Sequence, residues 1–294
     1  MTATWLTVRA ADGRELEVLQ QGPRDGLAMV FHYGTPSAPV EFPLLTDAVV
    51  ARGWQLVAYS RPGYAGSTPH EGRDVVAAVS DVAAILDHLG LDRFVTLGWS
   101  GGGPHALACA ALLPDRCRAA TSLAGVAPFG ADGLDFYAGM GPENVVEFGA
   151  AAESRAALEA YLDGHVPNRI DLTGEGMAAA LGELIDDTDR AALTGELADA
   201  VAAMFRRGLS SGVAGWRDDD LAFAGPWGFD VAGIAVPVSV WQGAHDRMVP
   251  FEHGRWLAAH IPGARAHLYE DEGHISLVAQ LPRIVEDLAE LSGT

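Results

Sequence analysis

The segment Phe94-Val-Thr-Leu-Gly-Trp-Ser-Gly-Gly-Gly-Pro104 joins an apolar, strand-like run to a helix-like one through a turn nearly free of side chains. It sets Ser100 between Gly98 and Gly102. A Gly-x-Ser-x-Gly at such a junction can bend sharply enough to hold a serine oxygen exposed above the edge of a sheet. By itself the motif is weak in a chain with 35 glycines, so its surroundings must carry the reading.

Those surroundings repeat one rhythm. Leu6–Val8 and Arg14–Gln20 read as short strands joined at Asp12-Gly13, and Leu27–Phe31 as a buried strand. A helix is expected from Val40 to Ala51, a strand at Leu56–Tyr59, and a loop over Ser60-Arg-Pro-Gly-Tyr-Ala-Gly-Ser67. Asp74–Leu89 places Val75, Val79, Val82, Ile85, Leu86 and Leu89 on one helical face, closed by Gly90. Phe94–Gly98 is the next strand, Pro104–Leu113 a helix and Ala119–Ala124 a sixth strand. Strands alternating with helices imply parallel units covered on both faces.

The rhythm breaks between Gly130 and Pro226, where Glu153–Leu162, Gly174–Ile185 and Asp189–Arg207 are the clearest helical stretches. This region holds 18 carboxylates against 6 arginines, which we read as a solvated helical surface. Strand Val236–Trp241, a helix over Phe251–His260, strand Ala266–Tyr269 and a last helix near Ser276–Leu291 resume the pattern. The expected fold is therefore α/β, with a mostly parallel central sheet of about eight strands flanked by helices. An all-helical cap follows strand 6. Residues 1–129 and 228–294 would form the core and 130–227 the cap, or lid.

Composition narrows the function. A net charge of −20 disfavours nucleic acid and anionic membranes as partners. All 19 basic residues are arginine, so a Schiff-base lysine and a phosphate-loop lysine are both absent. No apolar run of transmembrane length occurs, and Met1-Thr-Ala-Thr-Trp5 lacks the features of a signal peptide. A cytoplasmic location is the expectation. Cys109 and Cys117 are expected as free thiols. No metal-ligand pattern appears, and the glycine run at 98–103 lacks dinucleotide-binding spacing, so no metal and no cofactor are expected.

A serine hydroxyl needs a base within hydrogen-bond reach and a third group to orient that base. Asp246, in Gly243-Ala-His-Asp-Arg247, follows strand Val236–Trp241. His274, in Asp271-Glu-Gly-His-Ile275, follows strand Ala266–Tyr269. In a parallel sheet such positions gather on one edge, where ligands bind. Asp132 and Asp135, after the sixth strand, are alternative acids. His105, His245, His253, His260 and His267 are read as packing or surface histidines.

At these residues the chain resembles the α/β-hydrolases over nearly its whole length outside the cap. The turn Gly98-Trp-Ser100-Gly-Gly102, Gly-x-x-Asp at 243–246 and Gly-His at 273–274 occur in family order. Tyr33-Gly-Thr-Pro36 resembles the family's His-Gly-x-Pro oxyanion loop, with tyrosine replacing histidine. Arg61-Pro-Gly-Tyr-Ala-Gly-Ser67 resembles the loop after the fourth strand. The resemblance implies Ser100 as nucleophile, His274 as base, Asp246 as its orienting acid, and the N–H groups of Thr35 and Gly101 as the oxyanion hole. Tyr33, Trp99, Phe136, Tyr137, Met140, Trp216 and Trp227 are candidates for an apolar substrate pocket.

The function so implied is hydrolysis of a small-molecule carboxylic ester, thioester or lactone with an apolar portion through an acyl-enzyme. An aminopeptidase or C–C bond hydrolase using the same triad, and a non-enzymatic ligand receptor of the same fold, stay open, as does the oligomeric state.

Overall fold

Four strands rich in apolar residues make the centre of the sheet because every residue in them is buried. They are β3 (Ala28–His32), β4 (Gln55–Tyr59), β5 (Phe94–Trp99) and β7 (Val238–Gly243). The computed structural model describes residues 3–165 and 172–294; Met1, Thr2 and residues 166–171 of the expected cap lie outside the described residues. With β1 (Thr4–Arg9), β2 (Glu15–Gln21), β6 (Cys117–Leu123) and β8 (Arg265–Tyr269), the described strands form one sheet ordered β1-β2-β4-β3-β5-β6-β7-β8. Only the β1–β2 and β2–β4 pairings are antiparallel. The edge strands β1 and β8 keep exposed residues, as one-sided strands do.

Alternation along the strands splits the interior into two cores. Met29, Phe31, Val95 and Leu97 join Leu45 and Val49 of α1 (Pro43–Ala51) and Ile284 and Leu288 of the last helix, Leu281–Ser292. Val30, Val57, Val238 and Val240 face the other way. They meet α2 (Ala77–Leu89), α3 (Gly103–Leu112) and the helix Phe251–His260. Chain order reverses direction beside β3: β4 lies on one flank and β5 on the other. The loops leaving β3 and β5 therefore diverge, and a crevice opens at their C-terminal ends.

Between β6 and β7 the chain forms a helical cap: α4 (Pro142–Glu153), α5 (Arg155–His165), α6 (Gly174–Leu181), α7 (Asp187–Ala192), α8 (Gly195–Gly208) and α9 (Ala214–Ala224). The helices Phe251–His260 and Leu281–Ser292 are then α10 and α11. Met177, Leu181, Val201 and Met204 of α6 and α8 extend the first core over the sheet edge. Leu158, Leu162, Leu209 and Trp216 form a separate core that binds the cap together.

Several helix bounds differ from expectation for local reasons. Helix α1 starts at Pro43, where a missing N–H costs nothing. The stretch expected as one helix over Asp189–Arg207 is two: Leu193 and the extended Thr194 leave the helical conformation, and Gly195 opens α8 at φ +54°. Ser154, extended, ends α4, and its hydroxyl accepts the Ala157 N–H to start α5. Helix α9 was not expected because Asp218-Asp219-Asp220 interrupts its apolar pattern. All three aspartates are nevertheless buried, so the cap's acidity is not only a solvated surface. Cys109 and Cys117 are buried free thiols. Among the described residues no helix is long and apolar enough to cross a membrane.

Two histidines sit wholly inside the second face of the sheet, below the crevice. His32 ends β3 and His105 lies on α3, with rings 6.2 Å apart. Burial holds the His32 imidazole well below its ordinary pKa and His105 at about 4. Unfolded, both would titrate near 6.5. As pH falls through that window the unfolded chain binds protons the folded one refuses, so acid destabilises the fold. The melting temperature is expected to fall between about pH 7 and about pH 4.5, and His32→Leu to flatten that slope. An unchanged slope in the variant would remove His32 from the account.

Candidate active site

The turn after β5 explains why the motif needs its glycines. Ser100 has φ +56°, a left-handed conformation that costs a non-glycine residue of order 1 kcal/mol, and the residues after it form a 3-10 turn leading into α3. A side chain at Gly98 would fall on the carbonyl of Gly102, and one at Gly102 on the carbonyl of His32. Gly34 passes so close that a Cβ there would stand 3.2 Å from that of Ser100. The sharp bend is thus enforced from both sides, and Ser100 lines the space above the sheet edge.

Asp246 lies in the loop after β7 and His274 in the loop after β8. The Nδ1 of His274 is 2.7 Å from Oδ2 of Asp246, and both residues are buried. Asp246 also accepts from Gln242 Nε2 at 2.9 Å and, through Oδ1, from the N–H groups of Met248 and Val249 at 2.9 and 2.8 Å. These bonds fix the carboxylate and leave one lone pair aimed at the histidine. Burial opposes charge on His274, but Asp246, by charge and hydrogen bond, together with the charge of Asp189, raises its pKa above the ordinary value. Trp99 packs its ring 5.7 Å from the imidazole. Asp132 and Asp135 are exposed; the Asp135 carboxylate accepts the Tyr137 N–H, and the Asp132 backbone carbonyl accepts from the Trp256 indole.

Thr35 and Gly101 are brought to the same place: both line the cavity with Ser100, and a Cβ on Gly101 would meet the Thr35 side chain. The Tyr33–Thr35 loop is held from below by Arg61. Its guanidinium donates to the carbonyls of Tyr33 and, at 3.3 Å, Gly34, and to the Thr35 hydroxyl at 3.1 Å. The Thr35 hydroxyl in turn donates to Asp219 of α9 at 2.6 Å. Asp219 is fully buried, yet it is paired with Arg61 and Arg73 at 2.5 and 2.6 Å and bonded by Tyr64 at 2.8 Å. Burial favours its neutral form, but the two guanidiniums hold the carboxyl well below the usual carboxylate range.

Two adjoining spaces meet at Ser100. One is walled by Val126, Phe148, Leu184, Trp216, Phe223 and Val249, with Asn144, Glu147 and Asp220 as polar points. The other is walled by Trp99, Val201, His274 and Ile275, and Leu181, Phe205 and Met248 face both. Of the expected pocket residues, Trp99 and Trp216 line these spaces and five do not. Tyr33 is buried behind its loop, its hydroxyl donating to the Val40 carbonyl. Phe136 and Tyr137 belong to an aromatic cluster with Phe129, Phe136 also touching Phe148 and His253. Met140 joins the same buried cluster, and Trp227 packs on Phe229. These five side chains are taken up by packing and bonds outside the two spaces, and Leu181 of α6 and Val201 and Phe205 of α8 stand in the walls.

Sequence reasoning passed over Arg61, Arg73, Asp189 and Asp219 as functional residues. The Arg61-Pro-Gly loop was a signal for the first, but an acidic run on a helix carries no mark of burial.

Comparison with known proteins identifies the fold family. A family model described as the alpha/beta hydrolase fold matches residues 28–279. The chain is 29% identical over 247 residues to a non-heme chloroperoxidase of Streptomyces lividans, covering 83% of each protein. It is 26% identical over 291 residues to a 2-hydroxymuconate semialdehyde hydrolase of Pseudomonas putida, covering 93% of this chain and 94% of that one. An esterase structure from Exiguobacterium antarcticum superposes with a TM-score of 0.71 at 18% identity, over 99% of this chain and 100% of that one, a likeness of fold.

The absence of room at the turn is testable. Overpacking of this kind costs about 3 kcal/mol, so Gly102→Ala is expected to lower Tm by roughly 5–10 °C. A Tm within about 1 °C of the parent's would show that the turn has slack.

Proposed function

The chain belongs to the alpha/beta hydrolase fold family, and from that premise we propose that it is a serine hydrolase cleaving a carboxylic ester, thioester or lactone with an apolar portion. The observation that carries the reading is the buried Asp246–His274 pair beside a cavity lined by both His274 and a left-handed Ser100. The apolar walls on both sides of Ser100 support an apolar acyl or leaving group. We also propose that residues 1–129 and 228–294 act as the catalytic core and 130–227 as a cap over it.

In this mechanism His274 Nε2 takes the Ser100 hydroxyl proton as Oγ bonds to the substrate's carbonyl carbon. The carbonyl electron pair moves onto oxygen, where the N–H groups of Gly101 and Thr35 receive it; a donor of this kind contributes about 3 kcal/mol. The intermediate collapses, the bond to the leaving group breaks, and His274 returns its proton to the departing oxygen or sulfur. A water then repeats the sequence on the acyl-enzyme. Asp246 holds the tautomer with the proton on Nδ1 and stabilises the imidazolium. The Arg61–Asp219 network keeps the Thr35 loop in place, so the oxyanion donors need not reorganise during reaction.

A second reading, hydrolysis of a C–C bond in a diketone, uses the same residues. It is favoured by the nearly full-length match to a 2-hydroxymuconate semialdehyde hydrolase. Release of an acid from a vinylogous diketone, faster than p-nitrophenyl ester cleavage, would select it.

Ser100→Ala is expected to abolish p-nitrophenyl ester turnover and fluorophosphonate labelling, and Asp246→Asn to lower kcat by about 10⁴. Normal turnover in Ser100→Ala would end the serine mechanism. The base must be neutral to act, and its pKa is raised, so kcat/KM should fall with acid through a limb above pH 6.5. A limb below that value would contradict the pairing.

A further inference from the structure

The loop that carries His274 satisfies the Gly273 N–H locally, on the Ser276 hydroxyl at 2.8 Å, but the three N–H groups that follow have no local acceptor. Residues Ser276–Gln280 form a 3-10 turn before α11, and the residue that begins it, Ile275, makes no capping bond with its side chain. The N–H groups entering such a turn are orphans unless something accepts from them, and a buried orphan costs about 1–3 kcal/mol. The acceptor comes from the cap. Asp189 of α7 is fully buried; its Oδ2 accepts the N–H of His274 at 3.0 Å, and its Oδ1 those of Ile275 and Ser276 at 2.8 and 2.9 Å. The preceding residue has to be glycine, because a Cβ on Gly273 would overlap this carboxylate.

The same short helix reaches the loop of the catalytic acid. Asp186 caps α7 by accepting the Thr188 and Asp189 N–H groups, and its Oδ2 lies 2.6 Å from His245 Nδ1, one residue before Asp246. One element of the cap therefore grips the loops of both Asp246 and His274.

We propose that Asp189 is a positioning residue, locking the His274 loop in its working conformation so that the catalytic base and the cap helix α7 hold together. The inference rests on the reading of His274 as the base. Three charge-assisted bonds to consecutive amides fix the backbone from which the imidazole projects, and Asp246 then fixes the ring. Displacement of a reacting group by about 1 Å costs on the order of 100-fold in rate, so the hold matters to kcat more than to binding. The charged and titratable groups around the loop are Asp246 from the β7–α10 connection, Asp189 from α7, and Glu272 on the loop itself, which bonds Ser276 and Gln280. His245 is engaged by Asp186. Asp189 is thus a second negative charge that favours the imidazolium, and its removal should let His274 lose its proton at lower pH.

The test is the pH profile of p-nitrophenyl butyrate hydrolysis by the full chain and its variants. Asp189→Asn keeps an oxygen for Ile275 and Ser276 but lacks the charge and cannot accept from all three amides. We expect kcat to fall roughly 10- to 100-fold with KM changed less than about threefold, and the acid limb of kcat/KM to move to lower pH. Gly273→Ala, which pushes an intact Asp189 off the loop, should give the same two changes. Asp189→Glu, which keeps the charge, should restore the limb toward its original position. A variant with normal kcat and limb overturns the proposal, as does a lowered kcat with an unmoved limb, which would mark Asp189 as merely structural. A natural protein that neither turns over the ester nor reacts with fluorophosphonate would instead bring down the assignment of the base itself.

Discussion

The active site depends on one steric constraint: the bend between β5 and α3 has no room for a side chain at Gly98 or Gly102. Carbonyl oxygens of Gly102 and His32 occupy the positions a Cβ would take. Strand and helix are therefore pressed together, and Ser100 is carried at φ +56° at the crest of the turn. The strain is small against the packing of β5 and α3 that imposes it. Because β3 is the neighbour of β5, the same bend sets the Thr35 loop against Ser100. The loops after β7 and β8 bring Asp246 and His274 to the same sheet edge.

Around this fixed turn, the helices between β6 and β7 reach the loops of the candidate site. Two of their buried carboxylates reach opposite sides of the site. Asp219 of α9 takes the hydroxyl of Thr35 and two arginines beneath the Tyr33–Thr35 loop. Asp189 of α7 takes the backbone of the His274 loop. Two guanidiniums stabilise the Asp219 charge, and removing one partner of such a buried pair costs far more than its net contribution suggests; Asp189 is bonded by amides, and burial raises its pKa. The acidity of the cap, which looks like ordinary surface in the sequence, in part holds the loops of Thr35 and His274.

The sheet and the candidate triad were legible because they rest on short-range patterns. Buried strands such as Ala28–His32 are unbroken apolar runs, and glycines flank Ser100, Asp246 and His274 where chains pass closely. The cap was less legible. Its α7–α8 break lies in the conformations of Leu193, Thr194 and Gly195, and α9 hides an apolar face behind three aspartates. The pocket was the least legible part. Phe136 and Tyr137 found partners in each other, whereas Leu181, Phe205 and Met248, which resemble core residues, face Ser100. Which side chains line a cavity is decided by how helices distant in sequence cross, and no local pattern records that.

The central claim is that Ser100 becomes transiently acylated. Rapid mixing with p-nitrophenyl butyrate, acid quenching and peptide mass mapping test it most directly. A butyryl group on the peptide containing Ser100, appearing during turnover and fading as substrate is consumed, is the predicted result. Turnover with no acyl adduct on that peptide, or with the adduct on another residue, would contradict it.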